Sequence, residues 1–307
     1  MADTTQPLEP ASPVLAASPE NNPGSSTPPM LVHRRMAAAI QNVTVDLMLL
    51  AREPHSRIQT FRDLSIAGRV LNEQAAAIGV PANWIDFARQ AGQEGRKATG
   101  TSSLPPRRPV SRSLLIAQLH HQADALWTMA AVGPVRRDRG PVSAPAAQKL
   151  GEHLRLQWLR VAMVATAINV TEAETRGWWA TDPTHWHSRQ AQIQQQSAPD
   201  QGRQWRELTH FASVREARVR VAAMRMVGIE LTASAPHQLP PAPHVLEATA
   251  ENAWHTASLE SEGVGGARIG AAIAATGIDD AHSIADGDTH DLPPPTRSAQ
   301  HHVEPNF

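Results

Sequence analysis

Apolar residues recur at steps of three and four positions through the middle of the chain, which is the spacing of an amphipathic helix. The first such segment covers residues 33–51, and Pro54 follows it as a helix breaker. Further segments with this spacing predict helices over 60–78, 81–93, 111–131, 143–169 and 203–229. Alternating strand patterns are scarce, and helix-forming residues dominate. The sequence therefore predicts an all-α fold with a multi-helix core.

Two loop-like segments interrupt the predicted helices. Residues 97–110 (KATGTSSLPPRRPV) combine glycine, serine and proline and predict a linker or loop. This segment divides the predicted core into a helical subdomain over 30–96 and another over 111–232. Residues 133–142 (GPVRRDRGPV) carry a glycine–proline pair at each end and predict a second loop. Ser143 then stands where it can cap the next helix.

The two ends of the chain differ in composition from the middle. They contain 15 of the 25 prolines and few aromatic residues, so they cannot bury enough apolar surface to offset the entropy of ordering. We therefore expect a disordered acidic arm over 1–29 and a mostly disordered acidic tail over 233–307. The apolar run GGARIGAAIAA predicts a short helix near 265–275 within that tail.

Charge is partitioned along the chain, although the net charge is only −1. Residues 30–235 hold 26 Arg and Lys against 16 Asp and Glu, which is a balance of +10. Residues 1–29 carry −3 and residues 236–307 carry −8. A basic core of this kind points to a negatively charged partner.

Arginines concentrate in the two predicted loops. The candidate nucleic-acid-binding residues are Arg107, Arg108, Arg112, Arg136, Arg137 and Arg139. Guanidinium groups bind phosphate oxygens, so these loops predict contacts with a nucleic-acid backbone that do not depend on base sequence. The loops lie at opposite ends of the 111–131 helix. The alternative interpretation is therefore two separate, solvated charged surfaces.

Residues 73–89 (EQAAAIGVPANWIDFAR) resemble a helix-turn-helix unit, with Ala75 at the helix crossing and Gly79 at the turn. Asp86 lies on the outer face of the second helix, where it opposes DNA phosphates. Trp84 and Phe87 widen the apolar face of that helix. The alternatives are an ordinary helical hairpin and a surface on which Trp84 and Phe87 bind a partner protein.

Catalytic and metal-binding patterns are not recognised in this sequence. It has no cysteine, which excludes a disulfide framework, a cysteine-ligated zinc site and a thiol nucleophile. His185 and His187 follow Asp182, and His120 shares a helical face with Asp124, but neither group has a known metal-ligand spacing. Phosphate-binding, dinucleotide-binding and nucleophile-elbow motifs are missing. We expect no enzyme activity, no cofactor and no metal.

The sequence also predicts where the protein works and what it binds. No apolar run reaches the length of a membrane helix, and the first residues do not resemble a secretory signal, so we expect a cytoplasmic protein without membrane contact. The leading hypothesis is a non-catalytic helical protein that binds nucleic acid through an Arg-rich surface, in a regulatory or accessory role. The alternative hypothesis is a helical adaptor or assembly protein that binds another protein through Trp- and Phe-rich helical faces.

Overall fold

The structure, a computed structural model, describes residues 29–52, 58–99, 103–179, 183–232 and 234–276. These residues form ten α-helices and one short 3-10 helix (Pro236–Gln238), with no strand among them. The helices are α1 (Pro29–Ala51), α2 (Ile58–Ala77), α3 (Ala82–Gln93), α4 (Arg112–Asp138), α5 (Ala144–Ala167), α6 (Glu172–Thr175), α7 (Pro183–Gln195), α8 (Ala198–Thr209), α9 (Phe211–Met226) and α10 (Pro243–Thr276). The predicted all-α core is confirmed.

Two hydrophobic clusters lie side by side in this core. The larger cluster is built from α1, α2, α3, α9 and the adjoining halves of α4 and α5. The smaller cluster joins the other halves of α4 and α5 to α7 and to the start of α10. Because α4 and α5 run through both clusters, residues up to Ala257 form one compact unit. Residues of the predicted subdomains over 30–96 and 111–232 both contribute to the larger cluster.

Helix α4 continues beyond its predicted end at residue 131. The sequence 133–142 predicted a loop, but the helix includes Pro134 and ends only at Asp138. Proline inside a helix costs about 3 kcal/mol because its ring clashes and one hydrogen bond is lost. Every residue from Met129 to Val135 is buried here, and this burial offsets the cost.

The predicted helix over 203–229 is two helices. His210 ends α8 and begins α9 in an extended conformation, and its Nδ1 accepts a hydrogen bond from the Ala212 amide at 3.2 Å. On one side of this break Trp205 and Leu208 pack against the smaller cluster, whereas Val214 belongs to the larger cluster. The change of direction allows one segment to cover both cores.

The tail prediction is correct only in part. Helix α10 begins at Pro243, and Leu246, Ala250 and Trp254 are buried in the smaller cluster. The apolar helix predicted near 265–275 is the last part of α10, which falls in a second unit that starts at Ser258. The predicted disorder of residues 1–28 and 277–307 lies outside the described residues. No helix that the structure describes has the length and apolar character to cross a membrane.

Replacing Leu246 tests whether α10 belongs to the core. Leu246 is fully buried, whereas the neighbouring Val245 is 38% exposed. We expect Leu246→Ala to lower the free energy of unfolding by about 3 kcal/mol, because it leaves a cavity. The matched variant Val245→Ala should change it by less than about 0.5 kcal/mol. Urea denaturation measures both values, and equal small effects would remove α10 from the core.

Candidate nucleic-acid interface

Most arginines on helix α9 pair with carboxylates of neighbouring helices. Arg215 lies 2.7 Å from Asp63 of α2, and Arg218 lies 2.6 Å from Glu152 of α5. Arg220 pairs with Glu216 and reaches Glu73 of α2 at 3.3 Å. These guanidinium groups therefore hold α9 against α2 and α5, and their charge is already balanced by carboxylates.

A partly buried arginine extends this network into the core. The Nε of Arg160 donates to Oε1 of the fully buried Gln74 at 3.0 Å. Burial lowers the pKa of Arg160 to about 10, with a smaller contribution from the charge of Arg220. Arg160 still carries its charge at neutral pH, and the carboxylates of Glu73 and Glu216 favour that charge.

Arg112, one of the predicted phosphate-binding residues, is used inside the fold. Its guanidinium makes a two-point ion pair with Glu174 at 2.7 Å and donates to the carbonyls of Ile168 and Asn169 at 3.0 Å. Those carbonyls follow the last turn of α5, where acceptors lack helical partners. Glu174 also closes a capping box with Thr171. Hydrogen bonds from Arg112 are the main reason that the pKa of Glu174 falls to about 2.

The other predicted arginines lie at two distant places. Arg136 and Arg137 are in the last turn of α4, and Arg139 is its C-terminal cap. Arg137 pairs with Glu251 of α10. Helix α4 has 27 residues, so a distance of about 40 Å separates this end from the end near Arg107. The structure does not bring the two predicted loops into one patch.

A basic surface forms instead around the start of α1. The guanidinium of Arg107 lies 3.7 Å from the sulfur of Met30, and Arg35 donates to the Val227 carbonyl at the end of α9 at 3.4 Å. The loop, α1 and α9 therefore meet here. We define the α1-end surface by the exposed arginines of these three segments, which are Arg34 and Arg35 near the start of α1, Arg107 and Arg108 of the loop, and Arg225 in the last turn of α9.

The arginines of the α1-end surface differ in their surroundings from Arg215, Arg218 and Arg220 of α9. Within the part of the chain that the structure describes, none of the five forms an ion pair with a carboxylate. Sequence reasoning selected Arg107 and Arg108 but missed Arg34, Arg35 and Arg225. The available signal was the Arg34–Arg35 pair at the start of a helix that has no acidic residue before Asp46.

The helix-turn-helix-like segment does not present a free recognition helix. Trp84 is buried, and its Nε1 donates to the Pro105 carbonyl at 2.8 Å. The Asn83 amide donates to the Pro106 carbonyl at 2.8 Å, so the proline-rich loop covers the start of α3. Trp84 thus belongs to the protein's own core and not to a partner-binding face. Phe87 remains partly exposed, with the Arg96 guanidinium 5.9 Å from its ring centre.

The histidine and aspartate residues weighed as metal ligands surround an arginine. Arg189 pairs with Asp124, and its Nη2 lies 3.1 Å from Nε2 of His185. Hydrogen bonding from Arg189 lowers the pKa of Asp124. Across residues whose placement is described, no three His, Asp or Glu side chains converge as metal ligands. Asp182 lies outside the described residues.

A cavity of about 220 Å³ adjoins the α1-end surface. Its wall includes His33 of α1, Arg107 of the loop, Arg112 at the start of α4, and Asn169 after α5. Nε2 of His33 hydrogen-bonds the Ile78 carbonyl at 3.0 Å. Burial lowers the pKa of His33, and the charge of Arg107 contributes in the same direction.

Comparison with known proteins provides no assignment. The chain matches no protein-family model, and neither the curated proteins nor the solved structures include a significant match. The geometry of the chain itself therefore carries the functional argument.

The Arg112–Glu174 pair gives a prediction for the pH dependence of stability. The pKa of Glu174 is about 2 when folded and 4.5 in its ordinary state, so the unfolded chain binds more protons between these values. The stabilisation is complete above pH 4.5 and is lost as pH falls towards 2. We expect Glu174→Gln to cost about 2 kcal/mol at pH 7 and less than about 1 kcal/mol at pH 2.5.

The matched control is Glu172→Gln, which changes an exposed carboxylate of the same short helix. It should lower the free energy of unfolding by less than about 0.5 kcal/mol at either pH. Guanidinium denaturation at several pH values provides the measurement. A cost from Glu174→Gln that does not depend on pH would contradict the role given to this carboxylate.

Proposed function

We propose that the protein is a non-catalytic nucleic-acid-binding protein that holds a phosphate backbone on the α1-end surface. The observation that carries this proposal is the contrast between two groups of arginines. Arg215, Arg218 and Arg220 of α9 are paired with carboxylates, whereas the five of the α1-end surface have no carboxylate partner among the described residues. Cations that are already neutralised bring little net attraction for phosphate, so the unpaired group dominates the local field.

The chemistry of these contacts is electrostatic and independent of base sequence. Each guanidinium that approaches a phosphate releases a condensed counterion, which supplies the free energy of binding. Base recognition is not part of the proposal, because the start of α3 is covered by the loop and Asn83 already donates to Pro106. A regulatory or accessory role fits such binding.

The adaptor hypothesis keeps one specific observation in its favour. Large apolar side chains are exposed at the other end of the α1–α2 pair, at the last turn of α1 and the first turn of α2. Phe211 lies beside them. It is one helical turn before Arg215, and Arg215 pairs with Asp63 near the start of α2. The exposed set is Leu49, Ile58, Phe61 and Phe211. A partner protein is the alternative ligand, and this end is where it would dock.

A salt titration with two charge-matched variants tests the proposal. The first variant replaces the five arginines of the α1-end surface by alanine. The second replaces five exposed or half-buried cations elsewhere that lack carboxylate partners among the described residues, namely Arg136, Arg139, Lys149, Arg155 and Arg206. Fluorescence anisotropy with a labelled duplex of unrelated sequences reports affinity between about 50 and 300 mM salt.

We expect the first variant to reduce the magnitude of the slope of log K against log salt by about 4, because each phosphate contact contributes about 0.9. Binding near 150 mM salt should be abolished. The second variant should bind within about threefold of the wild type, since it removes only long-range attraction. Equal weakening by both variants would show that net charge, and not this surface, is responsible. No binding by the wild type would favour the adaptor hypothesis.

A further inference from the structure

The cavity beside the α1-end surface has the polar composition of an anion site. Its polar wall consists of Arg107, Arg112, His33 and Asn169, and among the described residues no Asp or Glu side chain lines it. The remaining wall is mainly apolar, with Leu115 and Ala167 among its residues. A guanidinium group in partly apolar surroundings binds oxyanions more strongly than one in open water.

His33 supplies a second, independent observation. The side chain is only 5% exposed, and its Nδ1 has no hydrogen-bond partner among the described residues. A carbonyl oxygen can only accept, so the contact with Ile78 requires that Nε2 carries the proton. In the neutral ring Nδ1 is therefore a buried acceptor that lacks a donor. Leaving such an atom unsatisfied is unfavourable, which marks the position as one that a ligand can complete.

The two guanidinium groups contribute differently. Arg112 uses four N–H bonds on Glu174, Ile168 and Asn169, so only one N–H of Nη1 is left, and its position is set by the fold. Arg107 has no carboxylate partner among the described residues, and its guanidinium lies 3.7 Å from the Met30 sulfur. The wall of the cavity thus contains one exposed guanidinium, one guanidinium held by the fold, and the ring of His33.

We infer that this cavity binds the phosphate group of a phosphate monoester, with Arg107 and Arg112 on the phosphoryl oxygens and His33 Nδ1 on a P–O–H group. Binding requires no covalent step. The inference goes beyond backbone binding. An internal backbone phosphate is a diester, so it has no P–O–H group to donate to His33 Nδ1.

Protons distinguish the monoester from other anions. The second pKa of a phosphate monoester lies near 6, so at neutral pH one proton can be held between its oxygen and a neutral imidazole. Phosphodiesters and carboxylates carry no proton at this pH. They satisfy the arginines but leave the Nδ1 acceptor without a donor, unless His33 itself becomes protonated in a buried site. Selectivity for monoesters is therefore the signature of the cavity.

Isothermal titration calorimetry of the full chain with three small anions tests the inference. Methyl phosphate is the monoester probe, dimethyl phosphate is the diester, and acetate is the carboxylate. We expect saturable binding of methyl phosphate with an affinity at least about tenfold above that of the other two, which corresponds to about 1.4 kcal/mol. Equal binding of methyl and dimethyl phosphate, or no binding of methyl phosphate, would overturn the inference.

Two variants locate the bound anion. His33→Phe keeps a ring of similar size and removes Nδ1, and Ala167→Leu fills the cavity without changing any polar group. Each should weaken methyl phosphate at least about tenfold, while Arg139→Ala at the far end of α4 should leave it unchanged. If His33→Phe does not fold, as judged by circular dichroism, Ala167→Leu still decides the question. Undiminished binding by a folded Ala167→Leu variant would contradict the cavity as the site.

Duplexes with different ends identify the source of the monoester. A duplex with 5′-phosphate ends is compared with the same duplex carrying 5′-hydroxyl ends, at equal salt. Tighter binding of the phosphorylated duplex by about tenfold, abolished by Ala167→Leu, assigns the cavity to a nucleic-acid terminus. Equal binding of the duplexes, together with methyl phosphate binding, assigns it to a small phosphate ester. Methyl phosphate binding without any duplex binding overturns the proposed function but supports the cavity.

Discussion

Pairing between arginine and carboxylate groups organises this protein. A single exposed pair contributes at most about 1 kcal/mol, but the pairs between α2 and α9 share members. Glu216 binds both Arg69 and Arg220, and Arg220 also reaches Glu73. The carboxylates of Glu73 and Glu216 also favour the charged form of the partly buried Arg160. The network therefore holds the helices in register and, at the same time, removes their arginines from contact with external anions.

What the network leaves unpaired defines the functional surface. Arginines lie at both ends of helix α4, and their partners differ between the two ends. At its C-terminal end α10 supplies Glu251 to Arg137, so part of the charge is neutralised. At its N-terminal end Arg112 turns inward to Glu174, while Arg107 remains free to face both the α1-end surface and the His33 cavity. A single loop thus links proposed backbone binding to proposed monoester binding.

The fold was more predictable from the sequence than the site. Helical periodicity and caps are local, and they place α1, α2, α3 and the start of α5 within a few residues. The errors concern features set by distant packing: Pro134 is tolerated because its neighbours are buried, and α10 is helical where composition indicated disorder. In the site, the partners of Arg112 and Arg137 lie 62 and 114 residues away in sequence. No local sequence pattern identifies such partners. The sequence alone therefore could not distinguish the unpaired arginines from those that pair with carboxylates.

Arginine-specific modification tests this division most directly. Phenylglyoxal reacts with exposed, unpaired guanidinium groups, and mass spectrometry of peptides reports the rate at each position. We expect fast modification of Arg34, Arg107 and Arg108 in the free protein and slow modification of Arg112 and Arg220. Duplex DNA should protect only the fast group. Fast modification of Arg112 and Arg220, or protection centred on Arg136 and Arg139, would contradict this division.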